Sequence, residues 1–267
     1  MPGRFEYKYL VPDKLRDEIR AAMRPYVKVD PFAAKQGKNE YTVRSVYYDT
    51  HDFSCYDEKH AGVKVRKKFR IRGYDTPGKD SVVFLEIKRK YNNNIEKNRA
   101  PMLAEDLATA LEGGNIDDSI ISFSGNGKEK KDAQRFLYHY NRRRLRPAVL
   151  VIYDREPFFS KFDPKVRLTF DKNVRSTLFP SLGMLYKEHQ IKYAMPGHFI
   201  LEVKFFTGLP HWILRILERY QLKRMALSKY TICLDSHNGP RKFRYGLTVD
   251  RSPYRTQAPA LNNQYAL

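Results

Sequence analysis

Residues 63–72 read Val-Lys-Val-Arg-Lys-Lys-Phe-Arg-Ile-Arg. The even positions are Lys64, Arg66, Lys68, Arg70 and Arg72; the odd ones are Val63, Val65, Lys67, Phe69 and Ile71. A strand sends successive side chains to opposite faces. This stretch therefore has one cationic face and one mostly apolar face, with Lys67 as the exception on the apolar side.

The same pattern extends outward in both directions. After a turn at Gly73–Asp80, Ser81–Tyr91 sets Glu86, Lys88 and Lys90 against Val83, Leu85 and Ile87. Asn92-Asn93-Asn94 reads as a turn, because Asn tolerates positive φ. Ile95–Ala100 returns with Lys97 and Arg99 on the same side. Near the N-terminus, Arg4, Glu6 and Lys8 alternate with Phe5, Tyr7 and Tyr9. Pro12 and Asp13 then open a helix with the stripe Leu15, Ile19, Ala22, Met23 and Tyr26. Tyr41–Asp49 reads as a strand.

Downstream, helices are expected at Leu103–Leu111 and Lys130–Leu145, and later at Trp212–Tyr220 and Met225–Leu234. Strands are expected at Ala148–Arg155, Val166–Asp171, roughly Met184–His189, and Phe199–Phe205. Their polar parity carries Tyr153 and Arg155, then Arg167, Thr169 and Asp171, then Glu202 and Lys204. The pattern is α+β with a mainly antiparallel sheet and flanking helices. One domain is expected over 1–238, followed by a basic, Pro/Asn/Gln-containing tail at 239–267.

Composition narrows the partner. Lys and Arg number 50 against 30 Asp and Glu, a net charge of +20, which implies an anionic ligand. Cys55 and Cys233 sit in no metal-ligand spacing and are expected to be reduced core thiols. The opening Met-Pro-Gly-Arg-Phe-Glu has no apolar stretch of a signal peptide. No run approaches the ~20 apolar residues of a membrane span, so a soluble, cytoplasmic protein is expected. Around Gly125-Asn-Gly127-Lys128, Ser122 and Glu129 occupy positions where a phosphate-binding loop needs Gly and Ser/Thr. No H-E-x-x-H or G-x-S-x-G element is present, so nucleophilic hydrolase chemistry has no support.

Like charges on one sheet face repel unless water or an anion screens them. One such strand is compatible with a solvated face. Here Arg4, Lys8, Arg70, Arg72, Lys88, Lys97, Arg99, Arg155, Arg167 and Lys204 all take the polar parity of their strands. Closing the sheet into a barrel turns these faces inward. The resulting lumen would attract a linear polyphosphate or nucleoside triphosphate. Glu6, Glu86 and Glu202 share the face. Glu202, inside Phe-Ile-Leu-Glu-Val-Lys-Phe, needs a cation partner or a divalent metal bridging it to phosphate oxygens. Strand aromatics mostly take the opposite parity, which disfavours nucleic acid.

Seven segments occur in a familiar order: Arg4-Phe-Glu-Tyr-Lys8-Tyr, Phe69-Arg-Ile-Arg72-Gly-Tyr, Leu85-Glu-Ile-Lys88, Tyr153-Asp-Arg155-Glu-Pro-Phe, Val166-Arg167-Leu-Thr-Phe-Asp171, Leu201-Glu-Val-Lys204-Phe and Leu227-Ser-Lys229-Tyr230. Over about residues 4–235 the chain resembles the VTC-domain polyphosphate polymerases, a branch of the CYTH or triphosphate tunnel metalloenzyme superfamily. The resemblance implies a tunnel fold and a phosphotransferase that moves the γ-phosphate of ATP onto polyphosphate with Mn²⁺ or Mg²⁺. It places Lys8, Arg70, Arg72, Lys88, Lys97, Arg155 and Arg167 on the phosphates, Tyr153 beside them, and Glu202 on the metal. Arg99, Lys204 and Glu6 share these faces and are expected in the same site, Glu6 as a second metal ligand. Ser228 and Lys229 are expected on a closing helix at a tunnel mouth.

The superfamily's opening E-x-E-x-K is here Arg4-x-Glu6-x-Lys8, and the basic residue some members carry before the Ser-Lys pair is Ala226. A standalone, bacterial-type form is expected. A tripolyphosphatase or nucleoside triphosphatase in the same tunnel is the enzymatic alternative, and a non-catalytic polyphosphate or RNA binder the other.

Overall fold

The computed structural model describes residues 4–240, apart from 36, 76, 79, 92–93, 114–115, 117–118, 122–124 and 126. In chain order the elements are β1 (Phe5–Pro12), α1 (Arg16–Met23), β2 (Val27–Val29), α2 (Pro31–Lys35), β3 (Tyr41–Asp49) and α3 (Ser54–His60). Then come β4 (Val65–Tyr74), β5 (Val82–Tyr91), β6 (Asn94–Leu103), α4 (Leu107–Leu111) and α5 (Lys128–Arg142). The last are β7 (Arg146–Ser160), β8 (Arg167–Leu178), β9 (Lys192–Tyr193), β10 (His198–Phe205), α6 (His211–Arg219) and α7 (Lys229–Ser236).

All strand pairs are antiparallel and form one ten-stranded sheet, ordered β1-β10-β8-β7-β3-β4-β5-β6, with β2 on β7 and β9 on β8. The expected barrel is thus strongly curved but open: among the described residues no ladder joins β1 to β6. Side chains bridge the gap instead, with Lys88 of β5 reaching Glu6 of β1 at 3.4 Å.

Strand periodicity dictates where the cores lie. The outward side chains Phe69, Ile71, Leu85 and Ile87 pack under α4 and α5 with Phe136 and Leu107. On the other side Tyr9, Leu168, Phe170, Leu201 and Val203 pack under α1 and α6 with Ile19 and Ile213. Each outer core contains fully buried aromatics, such as Phe69 and Phe170. Truncating either to Ala costs about 3–5 kcal/mol.

The third core is inside. Val43, Tyr47, Val149, Val151 and Tyr153 face inward and pack on Leu227, Tyr230 and Cys233. Helix α7 therefore plugs one end of the barrel. Buried Asp49 anchors it, accepting from the Tyr230 hydroxyl and from the backbone N–H of Cys55 (2.9 Å) and Tyr56 (3.0 Å) at the start of α3.

Several expectations need correction. Met184–His189 is not a strand. Glu188 is drawn across the outer wall to Arg44 (2.7 Å) and Arg175 (2.9 Å), Gln190 turns left-handed at φ 50°, and the strand there is the short β9. A Cβ at Gly73 would collide with the Tyr186 ring, so glycine lets this segment lie flat on β4. The last helix begins at Lys229, not Met225. Arg224 bridges to Tyr9 and the Met225 N–H donates to the Lys8 carbonyl at 2.8 Å, so the preceding residues cover the free edge of β1. Finally, Leu103 ends a strand rather than starting a helix, and β7 and β8 run past their expected ends. Of the expected turn at Asn92–Asn94 and the expected tail at 239–267, residues 92–93 and 241–267 lie outside the described residues.

Candidate active site

Inward parity brings the cations of six strands together. Three carboxylates organise most of them. Glu86 on β5, its side chain 1% exposed, meets Arg70 at 2.6 Å, Lys97 at 2.6 Å and Arg99 at 3.3 Å. Asp171 on β8 is fully buried; it receives Arg155 in a fork at 2.7 and 2.8 Å and also Lys229 from α7. Glu202 on β10 is held by Lys204, with Lys8 at 3.9 Å. Glu6 lies diagonally across the same face, 2.9 Å from Lys8 and 3.4 Å from Lys88.

Arg72 and Lys68, on the wall of the lumen, touch no carboxylate among the described residues. Arg72 is buried, and its guanidinium donates only to hydroxyls, Ser45 Oγ at 3.2 Å and Tyr153 Oη at 3.3 Å. Lys68 donates to Ser228 Oγ at 2.6 Å and lies 5.7 Å from the Tyr230 ring. Arg70 stands between them on the same strand face. Positions two apart on a strand are separated by roughly 7 Å, so the three cations form a row.

Electrostatics follows from this imbalance. Burial, then Lys8, Lys88, Lys59 and Arg66, push the Lys68 ammonium well below the usual lysine range. Burial takes Lys88 down to about 8 despite Glu6, and Lys97 down to about 7 despite Glu86. Burial raises every lumen carboxylate, but its cations overcome this. Lys8, Lys88 and Lys204 bring Glu6 to about 2 against burial and Glu202. Arg70, Arg72 and Lys97 hold Glu86 low, and Lys204, Lys8, Lys229 and Arg155 hold Glu202 low. The lumen is a preformed cationic cradle whose acids are all ionised and engaged.

Of the expected site residues, Lys8, Arg70, Arg72, Lys88, Arg155, Lys204, Glu6, Glu202 and Tyr153 lie on this inner wall. Lys97 and Arg99 stand on the edge strand β6, still 41% and 38% exposed along their side chains. Ser228 caps α7 by accepting from the Thr231 N–H, and Lys229 points inward to Asp171. Arg167 is exposed at the start of β8, its guanidinium 4.4 Å from the Phe159 ring centre, at the rim rather than the centre.

Most strand aromatics do face the outer cores, as Tyr9, Tyr48, Phe69, Phe170, Phe199 and Phe205 show, but the inner face is not free of them. Phe84, Tyr47 and Tyr153 face inward, but they lie under Arg99 (3.6 Å), Arg70 (5.7 Å) and Lys229 (4.5 Å). Those rings support cations. Sequence reasoning gave no role to Lys68, Asp171, Ser45 or Tyr47. Lys68 and Asp171 carried a usable signal, since each shares the inward parity of its assigned neighbours.

A divalent ion fits the donor set. Glu6 and Glu202 are close enough for each to disfavour the other's charge, and both offer hard oxygen donors suited to Mg²⁺ or Mn²⁺. Among the described residues no cluster of three or more metal-ligating side chains exists. The remaining coordination positions would fall to phosphate oxygens and water.

No curated protein matches the chain. Among solved structures, the PH1819 protein from Pyrococcus horikoshii OT3 aligns at 14% identity with a TM-score of 0.44, covering 86% of this chain and 99% of that one. A Mimivirus capping enzyme triphosphatase aligns at 10% identity and TM-score 0.28, covering 81% and 88%. The VTC domain family model matches residues 3–238, most of the chain, and the chain belongs to that family.

Proposed function

We propose that the protein is a polyphosphate polymerase, transferring the γ-phosphate of ATP onto the end of a polyphosphate chain in the cationic lumen. The observation that carries this reading is the row Lys68, Arg70 and Arg72. Among the described residues its two outer members donate hydrogen bonds to hydroxyls and pair with no carboxylate, and its spacing suits successive phosphates of one chain. Family membership supports action on phosphate chains.

Arg72 and Arg70 neutralise the oxygens of the transferring group, Arg155 and Lys88 grip its neighbours, and Lys229 and Lys68 close the α7 end. Phosphoryl transfer asks the protein mainly for positioning and neutralised oxygens. A divalent ion held by Glu6 and Glu202 would add charge neutralisation at the phosphates. An ionised phosphate terminus needs no base to become a nucleophile, whereas water does. Every lumen carboxylate is ion-paired and a weak base, which favours transfer over hydrolysis.

A cytoplasmic location belongs to this reading, supported by the free, buried thiols Cys55 and Cys233. No helix among the described residues is long and apolar enough to cross a membrane. The deciding experiment is incubation of the purified protein with ATP and Mn²⁺ or Mg²⁺, followed by gel separation. Long polyphosphate supports transfer; free phosphate alone means a triphosphatase; neither means a binder.

A further inference from the structure

The outer face of the decisive strand carries a second basic cluster that the lumen does not use. Lys67 has outward parity, opposite Arg89 on β5. Helix α5 brings His139, Arg142 and Arg143 over it, and Glu58 of α3 closes the side. Together with Tyr138 they line a concavity of about 330 Å³.

The charges are poorly compensated. Lys67 Nζ lies 3.3 Å from His139 Nε2, a cation against a group that can become one. Arg143 is anchored to Ser54 Oγ at 2.9 Å and lies 3.6 Å from Glu58. Arg89 pairs with Glu96 at 2.7 Å. Arg142 is exposed and meets no carboxylate among the described residues. The dipole of α5 accounts for basic residues in its last turn, but it does not account for a lysine on the apolar face of the sheet beneath. Burial, then Arg143, Arg89 and Arg135, push the Lys67 ammonium down. Burial, then Lys67, Arg143, Arg135 and Arg89, push His139 down. Mutual repulsion of this kind is relieved by an anion.

We propose that this concavity is a second anion site, outside the tunnel, that takes a condensed phosphate of a few linked units. Its volume exceeds one phosphate group, and its cations come from both β4 and the end of α5 rather than from one turn. Arg66 lines the concavity and also acts electrostatically on Lys68 and Lys59 at the α7 end of the lumen. The site therefore adjoins a tunnel mouth. Its occupant is either a free oligophosphate or the protruding end of a chain threaded through the lumen. The site stands whether or not the lumen catalyses transfer.

The test uses the full chain and sodium tripolyphosphate, with the His139 ring resonances assigned through His139→Gln. In an Arg70→Ala/Lys88→Ala protein, crippled in the lumen, tripolyphosphate is expected to move those resonances and raise the His139 titration midpoint by roughly one pH unit. Lys67→Met/Arg142→Ser should weaken that outer binding roughly tenfold. If the lumen variant does not fold, the wild type serves: two molecules of tripolyphosphate bound, and one in the Lys67→Met/Arg142→Ser protein.

Long polyphosphate added to the wild type separates the sources. A His139 shift at concentrations too low for tripolyphosphate to produce one identifies a threaded chain; equal responses identify free oligophosphate. Resonances that stay still, or that sulfate at equal ionic strength moves as far, overturn the site. A stronger response to an oligoribonucleotide overturns it in favour of RNA. Loss of polymerase activity alone has no bearing on these signals.

Discussion

The guanidinium of Arg72 reaches across β3 to the hydroxyl of Tyr153 on β7, 3.3 Å away, so two strands that share no ladder meet inside the barrel. This contact holds a buried, permanently charged group on neutral partners. That leaves its charge uncommitted for a substrate.

Arg72→Lys tests that freedom. The charge remains but the planar fork is lost. The expected loss is about 2–4 kcal/mol of transition-state stabilisation, judged from other preorganised donors. It should appear mainly in kcat, with a smaller change in ATP affinity. Steady-state kinetics of polyphosphate synthesis check this, and a change confined to KM would contradict it.

Glu202→Gln addresses metal and fold together. Buried Glu202 neutralises the half-buried Lys204 and faces Lys8. Its replacement is expected to abolish metal-dependent turnover and to destabilise by about 3–5 kcal/mol, the range for breaking a buried pair. The denaturant midpoint and turnover with Mn²⁺ are the measurements. Full activity would remove Glu202 from the metal site.

Stability of the substrate-free protein should rise with pH between about 7 and 10. Lys97 and Lys88, brought to about 7 and 8 by burial, and the strongly depressed Lys68 are discharged when folded over a range where the unfolded chain keeps those protons. The unfolded state then binds more protons, so raising pH favours folding. Thermal unfolding midpoints at pH 7, 8 and 9 give the answer; a monotonic fall would contradict the depressed lysines.

The same lysines predict proton uptake on ligand binding. A phosphate chain beside Lys88 and Lys97 raises both ammonium groups again. Calorimetric titration with tripolyphosphate at pH 8, in buffers of different ionisation enthalpy, should show protons taken up by the protein. Net release would place the ligand away from these residues.

Tyr230→Phe probes the plug. It removes one of the donors to Asp49 and leaves that carboxylate short of a bond, a cost of about 1–3 kcal/mol. Hydrogen exchange in α7 should accelerate more than in the strands. Uniform change across the chain would mean that α7 is not a separate unit.

Much of this was readable from parity. The period of two in residues 63–72 and 81–91 assigned Arg70, Arg72, Lys88 and Glu86 to one face, and Tyr41–Asp49 has the strand bounds expected from sequence. What stayed hidden depends on contacts distant in the chain. Val149 and Val151 sit in an apolar run that gives no hint of which side is filled, and α7 fills the inner one. Met225–Leu227 was expected to be helical, yet this stretch follows the β1 edge, which offers hydrogen bonds. Glu202 looked like an uncompensated charge because Lys204, two residues on, was not read as its partner.

The open sheet has one more consequence. Between β1 and β5 the wall is joined by Lys88 and Glu6 and, among the described residues, not by a ladder of backbone hydrogen bonds. A hydrogen-bonded seam has one width, whereas an ion pair yields to competing charge and to salt. Cargo that draws Lys88 away from Glu6 also loosens the seam, so the girth of the channel answers to what lies within it. A tube of this kind grips a thin chain and gives way to a bulkier end group without unfolding any strand.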